Sequence, residues 1–227
     1  MHKIVSRHFD FINHLLARRY RSVLIFLVLM IILPGFFEDT IYKNFSFFIL
    51  NSITIFLSIY AIHENKKQLQ IGFAIAFLVI LINQFGIFKN VATFNFYFSF
   101  VIYLVFYAYV AYRLLKMIMA SENVRIGVLY ASVIVYILIG VVGGYLFMLI
   151  ENASPGSIQN LKLENITNPS DFFYFSFTTL STLGYGDINP ISASARSLSI
   201  ILSAAGPLYL TVLVALLVSR FEHSDIH

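Results

Sequence analysis

The sequence predicts an all-α membrane protein: six transmembrane helices, plus a shorter segment that enters the bilayer and returns. Three observations predict it. Of 227 residues, 59% are hydrophobic and only 11% are charged, where a soluble domain carries roughly a quarter charged residues. The mean hydropathy is +0.83. The apolar residues also gather in long blocks rather than in amphipathic stripes, and six blocks reach or approach the ~17–20 residues that cross a ~30 Å hydrocarbon core.

The blocks are Ser22–Phe37, Phe45–Ile62, Ile71–Phe88, Phe94–Tyr112, Val128–Ile150 and Ser197–Ser219. Pro34-Gly35 ends the first, and Arg18, Arg19 and Arg21 can snorkel at its other end. Before it, residues 3–20 place Ile4, Val5, Phe9, Ile12, Leu15 and Leu16 near one helical face and Lys3, Arg7, Asp10, Asn13 and Arg18 around the other. Two arrangements satisfy this pattern: an interfacial helix on an anionic leaflet, or a plain extension of the first span. No short apolar core with a small-residue cleavage site follows the basic start, so a secretory signal is not expected. A seventh block, Phe172–Leu183, is too short to cross as a helix and is expected to be re-entrant.

Charge sets the orientation. With the N-terminus inside, Lys3, Arg7, Arg18, Arg19, Arg21, Lys66, Lys67, Arg113, Lys116, Arg125 and Arg220 fall on the inner side, leaving Lys43, Lys89, Lys162 and Arg196 outside. This asymmetry places both termini in the cytoplasm of a multi-pass cell-membrane protein. The formal charge of +4 is therefore spent on orientation, and no nucleic acid is expected as a partner. Cysteine is absent, which excludes disulfides, thiolate metal sites and thiol nucleophiles. The spans carry no carboxylate, His pair or nucleophile constellation that an enzyme or carrier would use.

The informative string is Thr178-Thr179-Leu180-Ser181-Thr182-Leu183-Gly184-Tyr185-Gly186-Asp187, after the re-entrant block and before the last span. Gly184 and Gly186 permit backbone conformations that cost other residues a Cβ clash. Upstream, Asn168-Pro169-Ser170-Asp171 reads as a helix start, with Ser170 as N-cap and Asp171 favoured by the dipole.

On Thr182–Asp187 the chain resembles the potassium channel superfamily, in its six-transmembrane form with one pore loop per subunit. The resemblance is strong from Ser121 to the C-terminus and rests on span number before that. It implies a homotetramer in the lipid bilayer, each chain lending one strand to a central selectivity filter. Four copies of the loop would replace the water around K+ with the carbonyl oxygens of Thr182, Leu183, Gly184 and Tyr185. Leu183 and Tyr185 would turn away from the ion, Asp187 would sit at the outer mouth, and Ile188-Asn189-Pro190 would close the turn. The permeant K+ ion is the expected ligand, and no cofactor is expected.

The resemblance divides the chain into an N-terminal helix (1–21), a four-helix voltage-sensor-like unit (22–120) and a pore unit (121–227). The pore unit comprises an outer helix 128–150, a pore helix 170–181, a filter 182–187 and an inner helix 196–219. Gly206-Pro207, in mid-helix, reads as a gating hinge or a static kink. Two departures stand out. Thr178 occupies the position where some relatives carry a Glu that pairs with the filter Asp, so that pair is excluded. The fourth span has no Lys or Arg within it, only Arg113 and Lys116 at its end, so weak or absent voltage dependence is expected. No cytoplasmic regulatory domain is expected after the last span, and the tight loops point to a prokaryotic source. A less selective cation pore, or a regulatory subunit of a mixed channel, are the alternatives.

Overall fold

A computed structural model describes the backbone of residues 2–37, 40–74, 76–77, 92–121, 126–161 and 170–224. Its helices are α1 (His2–Ile32), α2 (Thr40–Ile62), α3 (Ala92–Ala120), α4 (Ile126–Ala153), α5 (Ser170–Leu180) and α6 (Ala193–Ser224), with a 3-10 turn at Leu33–Phe36. Residues 66–74 and 76–77 are helical as well. Among the described residues, five stretches are long and apolar enough to cross a membrane: Ala17–Phe36, Tyr42–Ile62, Ser99–Ala120, Ile126–Ala153 and Ala193–Arg220. The chain is a multi-pass, all-helical membrane protein. The predicted third span, Ile71–Phe88, begins as helix, and the rest of it lies outside the described residues.

Element ends differ from the sequence reading in instructive ways. The backbone passes residues 21–22 without a break, so the N-terminal segment and the first span form one continuous helix. Pro34 sits at the start of the 3-10 turn, where its missing N–H costs nothing, and the Phe37 N–H bonds the Pro34 carbonyl at 3.3 Å. After α2, the Asn65 side chain accepts the Gln68 N–H at 2.9 Å while the Gln68 side chain accepts the Glu64 N–H at 3.1 Å. This reciprocal cap starts the next helix within three residues of the last.

All-round apolar character marks α4 as the central helix. It packs against α1, α3, α5 and α6. Gly140, Gly143 and Gly144 give it a face without side chains, and α5 lies on that face. The Ser176 hydroxyl reaches the Gly140 carbonyl at 2.7 Å, and a Cβ on Gly144 would collide with the Phe173 ring. Small residues are what allow two membrane helices to approach this closely. Next to this contact, Tyr145 of α4 is fully buried among Phe100, Tyr103 and Tyr107 of α3 and Phe173 of α5. Tyr107 also donates to the Asn51 side-chain oxygen of α2 at 2.7 Å. One aromatic cluster thus ties α2, α3, α4 and α5 together, each ring pair contributing ~0.5–1.5 kcal/mol beyond its burial.

The basic residues meet at one end of the bundle. Arg19 stacks 4.5 Å from the Tyr60 ring centroid, Tyr20 donates to Met117 Sδ at 3.0 Å, and Arg113 pairs with Glu64 at 2.5 Å. Arg220, near the end of α6, donates to the carbonyls of Ile118 and Met119 at 2.7 and 2.9 Å. Those carbonyls belong to the last turn of α3, which has no intrahelical partner for them and attracts a cation. Asp187, Glu151 and the loop between α5 and α6 lie at the opposite end of α4 and α6.

Candidate functional site

α5 begins at Ser170 with Asp171 in its first turn, while Asn168-Pro169 lie outside the described residues. The helix is eleven residues long and ends at Leu180, against Gly206 of α6. A Cβ on Gly206 would collide with the Leu180 carbonyl oxygen. The chain then folds back over its own last turn. The Thr178 carbonyl accepts N–H groups from both Leu183 and Gly184, at 2.9 and 3.1 Å, and the Thr179 carbonyl accepts from Thr182 at 3.0 Å. These bonds use the carbonyls that a helix C-terminus leaves open. Thr178, where the sequence excludes a carboxyl pair, spends its hydroxyl on the Phe175 carbonyl at 3.0 Å.

From here the backbone alternates in hand. φ is +60° at Thr182, +52° at Gly184 and +80° at Gly186, and neither Leu183 nor Tyr185 between them is positive. Alternating left- and right-handed residues cancels the coil of a helix and leaves an extended run whose carbonyls can line one edge. Two of the three left-handed positions are glycines, which adopt them freely. Thr182 does not, and holds a conformation costing ~1–2 kcal/mol. Strain of this kind accumulates where function needs the geometry. Every residue from Ser181 to Asp187 is exposed in the single chain, Tyr185 to 68% and Leu183 to 55%, so more than half of each of these two side chains is left uncovered by its own subunit.

Beyond the loop, the return to α6 is tied down at several points. The Asn189 side chain donates to the Gly186 carbonyl and the Asn160 side chain to the Asp187 carbonyl, both at 2.8 Å. Asn189–Pro190 pairs antiparallel with Ile158–Gln159, in the register Ile158↔Pro190 and Gln159↔Asn189. Buried Glu151, at the end of α4, accepts the Gly156 and Ile158 N–H groups at 2.7 and 2.8 Å. Sequence reasoning did not single out Glu151. Its signal was a lone carboxylate directly after an apolar span, with Pro155-Gly156 forcing the chain to turn back over it.

Asp187 has a partner the sequence reading missed. Tyr174, one turn before Thr178 on α5, donates to Asp187 Oδ2 at 2.6 Å. The signal was there: within Phe172-Phe173-Tyr174-Phe175 it is the residue with a hydroxyl, on the same helical face as Thr178. The bond to the Tyr174 hydroxyl, with the Ile188 N–H, holds the Asp187 carboxyl below its ordinary 3.8. The same bond pushes the Tyr174 phenol from 10.0 up to about 12. The carboxyl's lowered pKa adds stability above 3.8 that is lost as pH falls through the folded value. The phenol's raised pKa adds stability below 10.0 that is lost as pH rises through about 12. Tyr174→Phe should therefore lower the melting temperature across the neutral range, and the gap to the parent should close in acid and again between pH 10 and 12. A gap that stays constant to pH 12 would show that the hydroxyl is not bonded to the carboxylate.

Comparison with known proteins finds likenesses to ion channels. Residues 127–223 match the family model described as ion channel. The match covers α4, α5, the loop and nearly all of α6. A segment of 50 residues, 22% of this chain, is 44% identical to Two-pore potassium channel 4 of Arabidopsis thaliana, covering 18% of that protein. A segment of 72 residues, 32% of this chain, is 38% identical to Inward rectifier potassium channel Kirbac3.1 of Paramagnetospirillum magnetotacticum, covering 21% of it. The chain thus spans about a fifth of the length of each of these relatives. No solved structure matches. The likenesses are to ion channels and not to enzymes.

Proposed function

We propose that this chain is one subunit of a homotetrameric, potassium-selective channel, with Thr182–Asp187 as its filter. The observation that carries the reading is the exposed loop of alternating hand at the end of α5. Backbone carbonyls unpaired at membrane depth are tolerable only where they line an ion path or are covered by protein. A single chain provides neither, and a ring of four copies provides both. In that ring the carbonyls of Thr182, Leu183, Gly184 and Tyr185 stand in for the hydration shell of K+. Asp187, held by Tyr174, places a carboxylate at the mouth. The C-terminus of α5 adds its partial negative charge behind the loop. The exposed apolar residues of α6, among them Ile200, Ile201, Leu208 and Val212, supply the faces on which neighbouring copies pack.

The reading includes six spans with both termini in the cytoplasm. α2 and α3 both finish at the basic end of the bundle, which supports a further span between them, and residues 66–74 are helical. The same end holds Arg19, Arg21, Lys66, Lys67, Arg113, Lys116 and Arg220, as the cytoplasmic side of a membrane protein does. Arg113 is neutralised by Glu64 at the margin of its span, so little charge can move through the field. Moving one charge through 100 mV is worth about 2.3 kcal/mol.

Purified protein in planar bilayers should carry a current whose reversal potential follows the potassium gradient against sodium, with an open probability nearly flat in voltage. Sodium passing as readily as potassium would leave only a less selective cation pore. Steep sigmoidal opening would overturn the account of α3.

A further inference from the structure

A cavity of about 340 Å³ lies between α2, the helix starting at residue 66, and α3. That is within the range of small-ligand sites. Its wall is apolar, formed by Ile55, Ile59, Ile102 and Phe106, and its polar groups, His63, Gln68 and Arg113, are gathered at one end. That end is the basic end of the bundle. Ile71 and Tyr109 on its rim are exposed, so the cavity opens sideways from the helix bundle at the level of the spans.

We propose that this cavity holds one acyl chain of an anionic phospholipid from the cytoplasmic leaflet, with the headgroup phosphate at Arg113. The apolar length and the single polar end match an amphiphile and not a free ion or a soluble metabolite. Charge selects the anionic class. Arg113 spends one arm of its fork on the Tyr109 hydroxyl at 3.0 Å and the other on Glu64 at 2.5 Å, leaving further donors for a phosphate oxygen. Lys66, Lys67 and Lys116 flank the same end, whereas Glu64 is the acidic group there among the described side chains. Glu64 therefore competes with the headgroup for the guanidinium. This site is independent of ion conduction, since it requires only that the helices lie in a bilayer.

The chain has no tryptophan, so one introduced indole reports without background. F106W places it in the cavity wall, and V105W places it at an exposed position of α3 outside the cavity lining. Full-length protein is reconstituted in phosphatidylcholine vesicles containing rising fractions of acyl-brominated phosphatidylglycerol or acyl-brominated phosphatidylcholine. The F106W indole should be quenched at a markedly lower fraction of the anionic lipid, while V105W responds to both alike. Adding R113Q should raise the half-quenching fraction of the anionic lipid roughly fivefold, the effect of one cation near a charged headgroup. Adding E64Q should lower it, a gain that misfolding cannot imitate. Equal quenching of F106W by the two lipids, or a preference unmoved by both R113Q and E64Q, overturns the proposal.

Discussion

Gly184→Ala is expected to abolish potassium current while leaving the assembled protein intact. Gly184 holds φ +52° and a Cβ there meets nothing within 4 Å of its own subunit, so the penalty is conformational rather than a clash inside one chain. An L-residue in the left-handed region costs ~1–2 kcal/mol. The proposed ring repeats that cost four times, ~4–8 kcal/mol in all, concentrated on a loop that already strains Thr182. The least costly relief is for the residue to leave the left-handed region, which turns a neighbouring carbonyl away from the common edge. Helices α4 and α6 do not depend on this, so copies should still associate. Cross-linking and size-exclusion chromatography would read assembly, and bilayer recording would read current. Undiminished potassium-selective flux would refute the filter assignment.

Gly206→Ala is expected to be nearly as damaging, for a different reason. Gly206 is buried, and the atom its Cβ would strike is the Leu180 carbonyl oxygen, part of a backbone that cannot swing aside as a flexible side chain does. Overpacking typically costs ~1–3 kcal/mol per site, and here it pushes α5 off α6 directly beneath the loop. The sequence pointed to Gly206-Pro207 as a hinge or static kink; the structure adds close packing as a reason for the glycine. Pro207→Ala separates the roles, because it returns an N–H to the helix without adding volume at the contact. It should assemble and conduct, with an altered open probability if bending occurs there. A G206A protein that assembles and conducts, changed only in its gating, would show that the glycine serves bending and not packing.

The parts of this molecule written in local sequence were legible, and the parts made by distant residues were not. Apolar run length gave the spans Phe45–Ile62 and Val128–Ile150 to within a few residues of their helices, because burial in lipid needs nothing but length and composition. The start of the short helix at Ser170 was legible in Pro169-Ser170-Asp171, with the acidic residue in the first turn. The positions of Gly184 and Gly186 followed from the conformations glycine alone adopts cheaply. The bond from Tyr174 to Asp187 and the pairing of Gln159 with Asn189 join residues far apart in sequence, whereas the Glu151 carboxylate reaches only to the nearby Gly156 and Ile158 N–H groups, a turn whose geometry no residue type announces. Thr182 was recognisable as a motif residue but not as a strained one, since threonine has no local preference for the conformation it holds.

α3 ends at Ala120, α4 begins at Ile126, and the two lie against each other within one chain. In the proposed ring, each bundle of α1–α3 would therefore belong to the quarter made by its own polypeptide. In a ring mixed from intact and altered copies, a lesion in α1–α3 would act in proportion to dose. A lesion in the loop would instead be dominant, because one faulty strand spoils an opening that all the strands share.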